Sequence, residues 1–323
     1  MDMKASNFRI EKDSMGEIQV PFNALYGAQT QRARNNFQIS GMKPWWQFVW
    51  SMVMIKRSAA LVNYELGLLK KDYMDAICKA CDEVLSGKWN DQFVVDPFQA
   101  GAGTSHNMNI NEVIANLATC KLGGSTGQYI IDPNNHVNMS QSTNDVYPTA
   151  LRITLSQKLD GLMEEMIHLR DAFGRKAEEF ADVIKMGRTQ LQDAVPMTLG
   201  QEFGAWALMV TEDIQRVQEA QSLIREINMG ATAIGTGLNA HPDYARLVTE
   251  KLRQLTGIPV VSSENLVEAT QDTGAYVQLS GVLKRVATKL SKICNDLRLL
   301  SSGPRAGLHE INLPAMAPGS TIM

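Results

Sequence analysis

Apolar residues recur at steps of three and four over a distance that few globular folds can use. Leu151, Leu155, Leu159, Leu162, Met166, Leu169, Phe173, Ala177 and Phe180 follow the helical period. The pattern predicts one helix opening at about Thr143 and running to about Phe180. Two further stretches, 199–227 and 264–300, carry the same signature. Helices of roughly 25 to 40 residues far exceed the usual globular length of about 11–12. They hold only where long helices bury stripes against one another, in a bundle or an oligomeric core. The expected fold is therefore mainly α: a long-helix bundle over residues 143–323, preceded by a smaller mixed N-terminal domain over residues 1–142.

Within that first part, residues 1–43 read as irregular apart from a short strand at Phe8–Asp13. Helices are predicted over Trp45–Leu66 and Asp72–Leu85. A loop follows from Gly87 to Gly103, then a helix from Thr104 to about Leu122. Cys78 and Cys81 share a helix face and lack the second pair or nearby His of a zinc set. With four cysteines, a net charge of −3 and a pI near 6, the chain suits a reducing compartment and offers no basic field to nucleic acid. Apolar runs such as Phe48–Ile55 are too short to span a bilayer. The polar N-terminus does not resemble a secretory leader, so a cytoplasmic protein without membrane contact is expected.

Hydroxyls and amides concentrate at the predicted helix starts. The densest run is Asn135-His136-Val137-Asn138-Met139-Ser140-Gln141-Ser142-Thr143-Asn144-Asp145, at the mouth of the longest helix. One or two such residues satisfy an N-cap; this run offers at least four. The surplus points outward, where free N–H groups and the helix dipole seat an anion. Thr104 and Asn107 mark a second polar entrance after Gly101 and Gly103. Thr189 and Gln190 mark a third, with Pro196 expected in the first turns of the helix after it. Gly230–Asn239 reads as a loop. The pattern fits neither a Rossmann motif, a P-loop, a nucleophile elbow nor a metal cluster. Neutral donors of this kind suit a small dicarboxylate, and they can also hold the added charge of an enediolate.

The segments Gly101–Asn109, His136–Asp145, Gly187–Asp193, Gly235–Asn239 and Cys294–Gly307 resemble the signature blocks of the fumarase/aspartase superfamily. The likeness spans essentially the whole chain. Gln190, Ala102, Thr143 and Asp132 stand where fumarases usually carry His, Ser, Ser and His, which favours the aspartate ammonia-lyase branch. The resemblance implies reversible anti elimination of ammonia from L-aspartate to fumarate, without an organic cofactor; activation by a divalent cation stays open. Thr104, Ser142, Thr143, Asn144, Thr189 and Gln190 would hold the substrate. In the tail Gly319-Ser320-Thr321-Ile322-Met323, Ser320 matches the family's general base, with Thr321 beside it. On its own composition that tail reads only as flexible.

Family members continue the loop with Pro-Gly-Lys-Val-Asn-Pro, further bundle helices and a small third domain. The chain is thus expected to be a C-terminally truncated member, with little activity alone. The family's active sites are shared between subunits of a homotetramer, which implies the same assembly here. A fumarate hydratase and a non-catalytic helical assembly protein are the competing readings. Arg32, Arg298 and Arg305 read as structural cations.

Overall fold

The long apolar stripes fold as helices, and the protein is mainly α. The computed structural model describes residues 7–319. A hairpin of β1 (Phe8–Asp13) and β2 (Gly16–Pro21) leads into α1 (Ala28–Asn36), α2 (Trp46–Glu65), α3 (Lys71–Leu85) and α4 (Thr104–Lys121). The longest helix, α5 (Thr143–Glu179), precedes a second hairpin, β3 (Ile184–Thr189) and β4 (Gln192–Thr198), and then α6 (Leu199–Ile224). Short strands β5 (Glu226–Ile227) and β6 (Val261–Ser262) pair in parallel on either side of α7 (Tyr244–Thr256) in the sequence. Helices α8 (Leu266–Gln271) and α9 (Gly274–Leu300) follow.

The described residues form two compact units, divided elsewhere than at 142/143. One holds the residues up to Lys158 together with Leu223–Thr273; the other holds Leu159–Ser222 and the residues from Gly274 on. The first turns of α5 stay with the first unit because Val146, Ala150 and Ile153 are buried in its core. Asp145 adds to this by accepting the N–H groups of Gly230 (3.2 Å) and Thr232 (2.9 Å).

The first unit is built on two helices buried on nearly every side. Along α2, Met52, Val53, Ile55, Ala59 and Val62 are inaccessible to solvent, with α3, α4 and α7 packed around them. A helix buried this fully must be apolar or match every polar group it carries. The second central helix, α4, uses its polar groups to hold loops. Asn109 accepts from Val94 N–H and donates to the Gln92 carbonyl, both at 3.0 Å. Asn116 donates to the Leu25 carbonyl (2.8 Å) and accepts from Gly127 N–H (2.7 Å).

The most consequential of these groups is Glu112. Helix α1 has neither a side-chain cap nor an acid in its first turn, which is why residues 1–43 read as irregular. Its cap comes from α4 instead. Glu112 accepts from the N–H groups of Gly27 (2.8 Å), Gln29 (2.9 Å) and Thr30 (3.1 Å), and from the Thr30 hydroxyl (2.5 Å). Glu11 takes Ala28 N–H at 2.9 Å. Arg32, on the same helix, pairs with Asp13 through Nε (2.8 Å) and one terminal nitrogen (2.9 Å), a structural role.

In the second unit the buried positions fall into rows spaced by seven: Leu159, Met166 and Phe173 on α5, and Leu279, Val286, Ile293 and Leu300 on α9. That spacing marks a helix seam packed along one stripe. On α6 the row is Phe203, Trp206, Val210, Ile214 and Val217, and Phe173 stands edge-on to Trp206 with centroids 5.7 Å apart. Asp213 is buried beside this row and is matched by Arg285 Nε (2.9 Å) and Lys289 Nζ (3.0 Å). The periodicity from 264 to 300 predicts one helix; the chain makes two. Asp272 adopts an extended conformation (ψ 137°) between them, and the Asn265 side chain caps the first. Pro196 lies within β4, opposite Met186, and not in a helix. A two-stranded hairpin tolerates it because both strands are edges.

Removing the Glu112 carboxylate leaves four donors, three of them buried, without an acceptor. Glu112→Ala is expected to lower the unfolding free energy by roughly 3 kcal/mol or more, and Glu112→Gln by less, read by chemical denaturation.

Candidate active site

Helix α5 begins with a reciprocal cap. Ser142 Oγ accepts from Asn144 N–H (3.2 Å), while Asp145 Oδ1 accepts from Ser142 N–H (2.9 Å). This is the capping-box arrangement with Asp in the place of Glu. Pro148 has no N–H to give to the Asn144 carbonyl, and Asn228 Nδ2 donates to that oxygen instead, at 3.1 Å. Asn144 Nδ2 donates to the Ala233 carbonyl (2.7 Å). The loop 228–239 is thereby fastened to the mouth of α5. It turns through left-handed φ at Gly230 (94°) and Gly235 (98°). At either glycine a Cβ would collide with the backbone or side chain of the helices behind.

The start of α4 meets the start of α5. Gly103 has φ 93° and lies flat under the Tyr147 ring, where any side chain would clash. His106 stacks on Tyr147, with ring planes 16° apart. The Val95 carbonyl can only accept, so His106 Nε2 donates to it (3.3 Å). His106 Nδ1 then accepts from the Tyr147 hydroxyl (3.2 Å). Burial holds this imidazole below its ordinary pKa. One turn into α4, Asn107 Nδ2 donates to Thr143 Oγ1 at 3.1 Å.

Behind these residues lies Lys56 of α2, with no solvent exposure. Its Nζ donates to Asn107 Oδ1 (2.7 Å), Asn138 Oδ1 (2.8 Å) and Gln141 Oε1 (2.9 Å). Desolvation pulls its pKa down to about 7, against the opposing pull of the Asp145 charge. The Asp145 carboxyl is likewise pushed up to about 6 by burial, against its three backbone N–H groups and the Lys56 charge. A Lys56-Arg57 pair in a run of otherwise apolar and small residues is the sequence signal for this group.

The structure thus brings Ser142, Thr143 and Asn144 together with the first turn of α4, which Thr104 opens. Thr104 and Asn144 are exposed; Ser142 and Thr143 are half-buried. Thr189 and Gln190 belong to the second unit, at the tip of the β3–β4 hairpin, and both are exposed. Gln190 (φ 53°) and Leu191 (φ 65°) form the two-residue turn between paired Thr189 and Gln192. Below the tip, Lys185 pairs with Glu202 (2.5 Å) and Glu310 (3.0 Å), and Arg188 pairs with Glu310. Gln190 also lines a cavity of about 350 Å³ with Arg188, Lys292 and Asp296. Ser320 and Thr321 lie outside the described residues.

The sequence profile of a family described as lyase matches residues 16–323. An aspartate ammonia-lyase from Helicobacter pylori is 58% identical over 318 residues, covering 98% of this chain and 68% of that protein. One from Escherichia coli is 54% identical over 325 residues, covering 99% and 68%. Among solved structures, a cobalt-bound fumarate lyase from Brucella melitensis superposes with a TM-score of 0.93 at 53% identity, covering 98% of this chain and 69% of that one. A class II fumarase from Schistosoma mansoni superposes with a TM-score of 0.95 at 37% identity, covering 98% and 70%. With a family match over most of its length and relatives more than half identical across nearly all of it, the chain belongs to the aspartate ammonia-lyases of the fumarase/aspartase superfamily.

Proposed function

We propose that this protein eliminates ammonia from L-aspartate to give fumarate, through loss of the C3 proton and an enediolate that expels the amine. The observation carrying this reading is identity above one half, along nearly the whole chain, to proteins named for that reaction. The chemistry of the α5 mouth agrees with it. Ser142, Thr143 and Asn144 offer uncharged donors at a helix N-terminus, beside the α4 entrance where Thr104 stands, which suits a small dicarboxylate. An enediolate carries more negative charge than the substrate, so preorganised donors favour it over the ground state.

In this reading Thr104, Ser142, Thr143, Asn144, Thr189, Gln190 and Thr321 hold the carboxylates and amino group, and Ser320 takes the C3 proton. A serine acts as base only when backbone N–H groups and a nearby cation stabilise its alkoxide. No organic cofactor enters the reaction. The working form is a cytoplasmic homotetramer. In it, residues 104 and 142–144 of one subunit meet 189–190 of a second and 320–321 of a third.

Following the ultraviolet absorbance of fumarate tests the activity, with L-aspartate and L-malate offered separately. The measurement uses residues 1–323 beside the same chain extended through the Pro-Gly-Lys-Val-Asn-Pro half-loop of its relatives. Aspartate is expected to yield fumarate readily in the extended chain and far less in residues 1–323, with malate inert. Faster conversion of malate would replace this reading with the hydratase.

Shared sites carry a second expectation. Thr143→Val and Thr189→Val should each lower kcat/KM by about a hundredfold or more, since each leaves substrate polar groups unpaired. Dissociating and reassembling an equal mixture should then restore up to roughly a quarter of the activity, because some sites draw both segments from unaltered copies. Absence of recovery would mean that each site is built within one chain.

A further inference from the structure

Ser142, Thr143 and Asn144 at the mouth of α5 are uncharged, yet a buried ammonium stands behind them. Lys56 Nζ has three acceptors at 2.7, 2.8 and 2.9 Å, all amide oxygens. Three acceptors match the three N–H donors of an ammonium, where a neutral amine has only two. The arrangement dictates which way each amide faces. Turning any of them would set an NH₂ group against NH₃⁺, donor to donor, in a site without solvent.

Each oriented amide then has its nitrogen committed. Gln141 Nε2 donates to the carbonyls of Val137 and Met139, both at 3.1 Å. Asn138 Nδ2 donates to the Gln141 carbonyl at 3.2 Å. Asn107, buried like Lys56, divides Nδ2 between Asn138 Oδ1 (3.2 Å) and Thr143 Oγ1 (3.1 Å), and it is the hydroxyl's only hydrogen-bond partner among the described residues. A hydroxyl that accepts from an amide must point its own proton elsewhere. Thr143 is half-buried at the first position of α5.

We propose that Lys56 is a positioning residue for substrate binding, acting through the Asn107 amide to hold the Thr143 hydroxyl as a donor toward a substrate carboxylate. The inference rests on the dicarboxylate reading above and names how one of its binding groups is set. The chain of donors runs one way, from ammonium to amide to hydroxyl to carboxylate. Each link polarises the next, as in other directional networks of low dielectric.

The discriminating variant is Asn107→Asp. It keeps an oxygen on Lys56, now as an ion pair, and replaces the Nδ2 donor with an acceptor. The Thr143 proton is then drawn inward. Affinity for succinate, an unreactive dicarboxylate, should fall by about tenfold or more. In a Thr143→Val background the same change should alter affinity by less than about twofold, since no hydroxyl remains to be redirected. Unchanged binding in the single variant overturns the inference. So does a full loss that persists without the hydroxyl, which would trace the effect to charge alone.

A second measurement needs no substrate. Neutron diffraction from deuterated protein should place an Nδ2–D bond of Asn107 toward Thr143 Oγ1, and the Thr143 O–D bond away from it. The reverse orientation overturns the inference. The stated orientation in a protein that binds no dicarboxylate supports the donor chain and overturns the functional reading instead.

Discussion

Burying an ammonium in an apolar helix is among the most demanding things a small core can do, and the first unit is arranged around having done it. Lys56 sits in α2 with no solvent-exposed surface of its own. Its partners must come to it: Asn107 from α4, Asn138 and Gln141 from the segment leading into α5. A buried charge left without partners costs several kcal/mol, so the segment is held in one conformation by the penalty for leaving it. Ser140, with φ 63°, lies inside that conformation, and its hydroxyl donates to Asn63 of α2 at 2.9 Å. Order at the mouth of α5 thus originates in a deeply buried helix of the unit.

This arrangement separates charge from contact. Asp145 and Lys56 carry the formal charges of the region, and both are buried behind the hydroxyls. Asp145 is spent on three backbone N–H groups, one opening α5 and two in the loop 228–239. Its negative charge would oppose a dianion at the α5 mouth, and the Lys56 ammonium offsets it. What remains exposed is a set of neutral donors with a helix dipole behind them. Such donors hold an anion without the desolvation that a direct salt bridge demands. They also keep their geometry as negative charge grows on the substrate, which is the condition for stabilising an enediolate.

How much of this could be read from the residues depends on where each constraint lies. The long helices were legible because their buried rows repeat along the chain itself, as Leu279, Val286, Ile293 and Leu300 do. The density of Ser, Thr and Asn at 138–145 was legible for the same reason: a cap needs fewer. The helix α1 was not, since its capping carboxylate, Glu112, lies on another helix. The break at Asp272 carries neither proline nor an abrupt change in periodicity. The hairpin at 184–198 hid behind Pro196, which suggests a helix start when strand pairing is not considered. Lys56 was illegible because a lysine in a helical pattern normally faces solvent, and only the fold brings three amide oxygens to it.

The turn at the tip of that hairpin shows a different way of holding polar groups in place. Two-residue turns with both φ positive are normally Asn-Gly or Asp-Gly, whereas this one is Gln190-Leu191. Each side chain in the left-handed region costs on the order of 1 kcal/mol. The strands beneath must therefore be held firmly enough to impose the turn. Pairing of Arg188 with Asp193 in the ladder supplies part of that hold. The rest is ionic: Lys185 and Arg188, on β3, both engage Glu310, in the segment after α9 that leads toward Ser320. The same carboxylate that steadies the hairpin carrying Thr189 and Gln190 thus anchors the approach to the proposed base. Within the second unit of one chain, a single carboxylate ties the hairpin to the segment after α9.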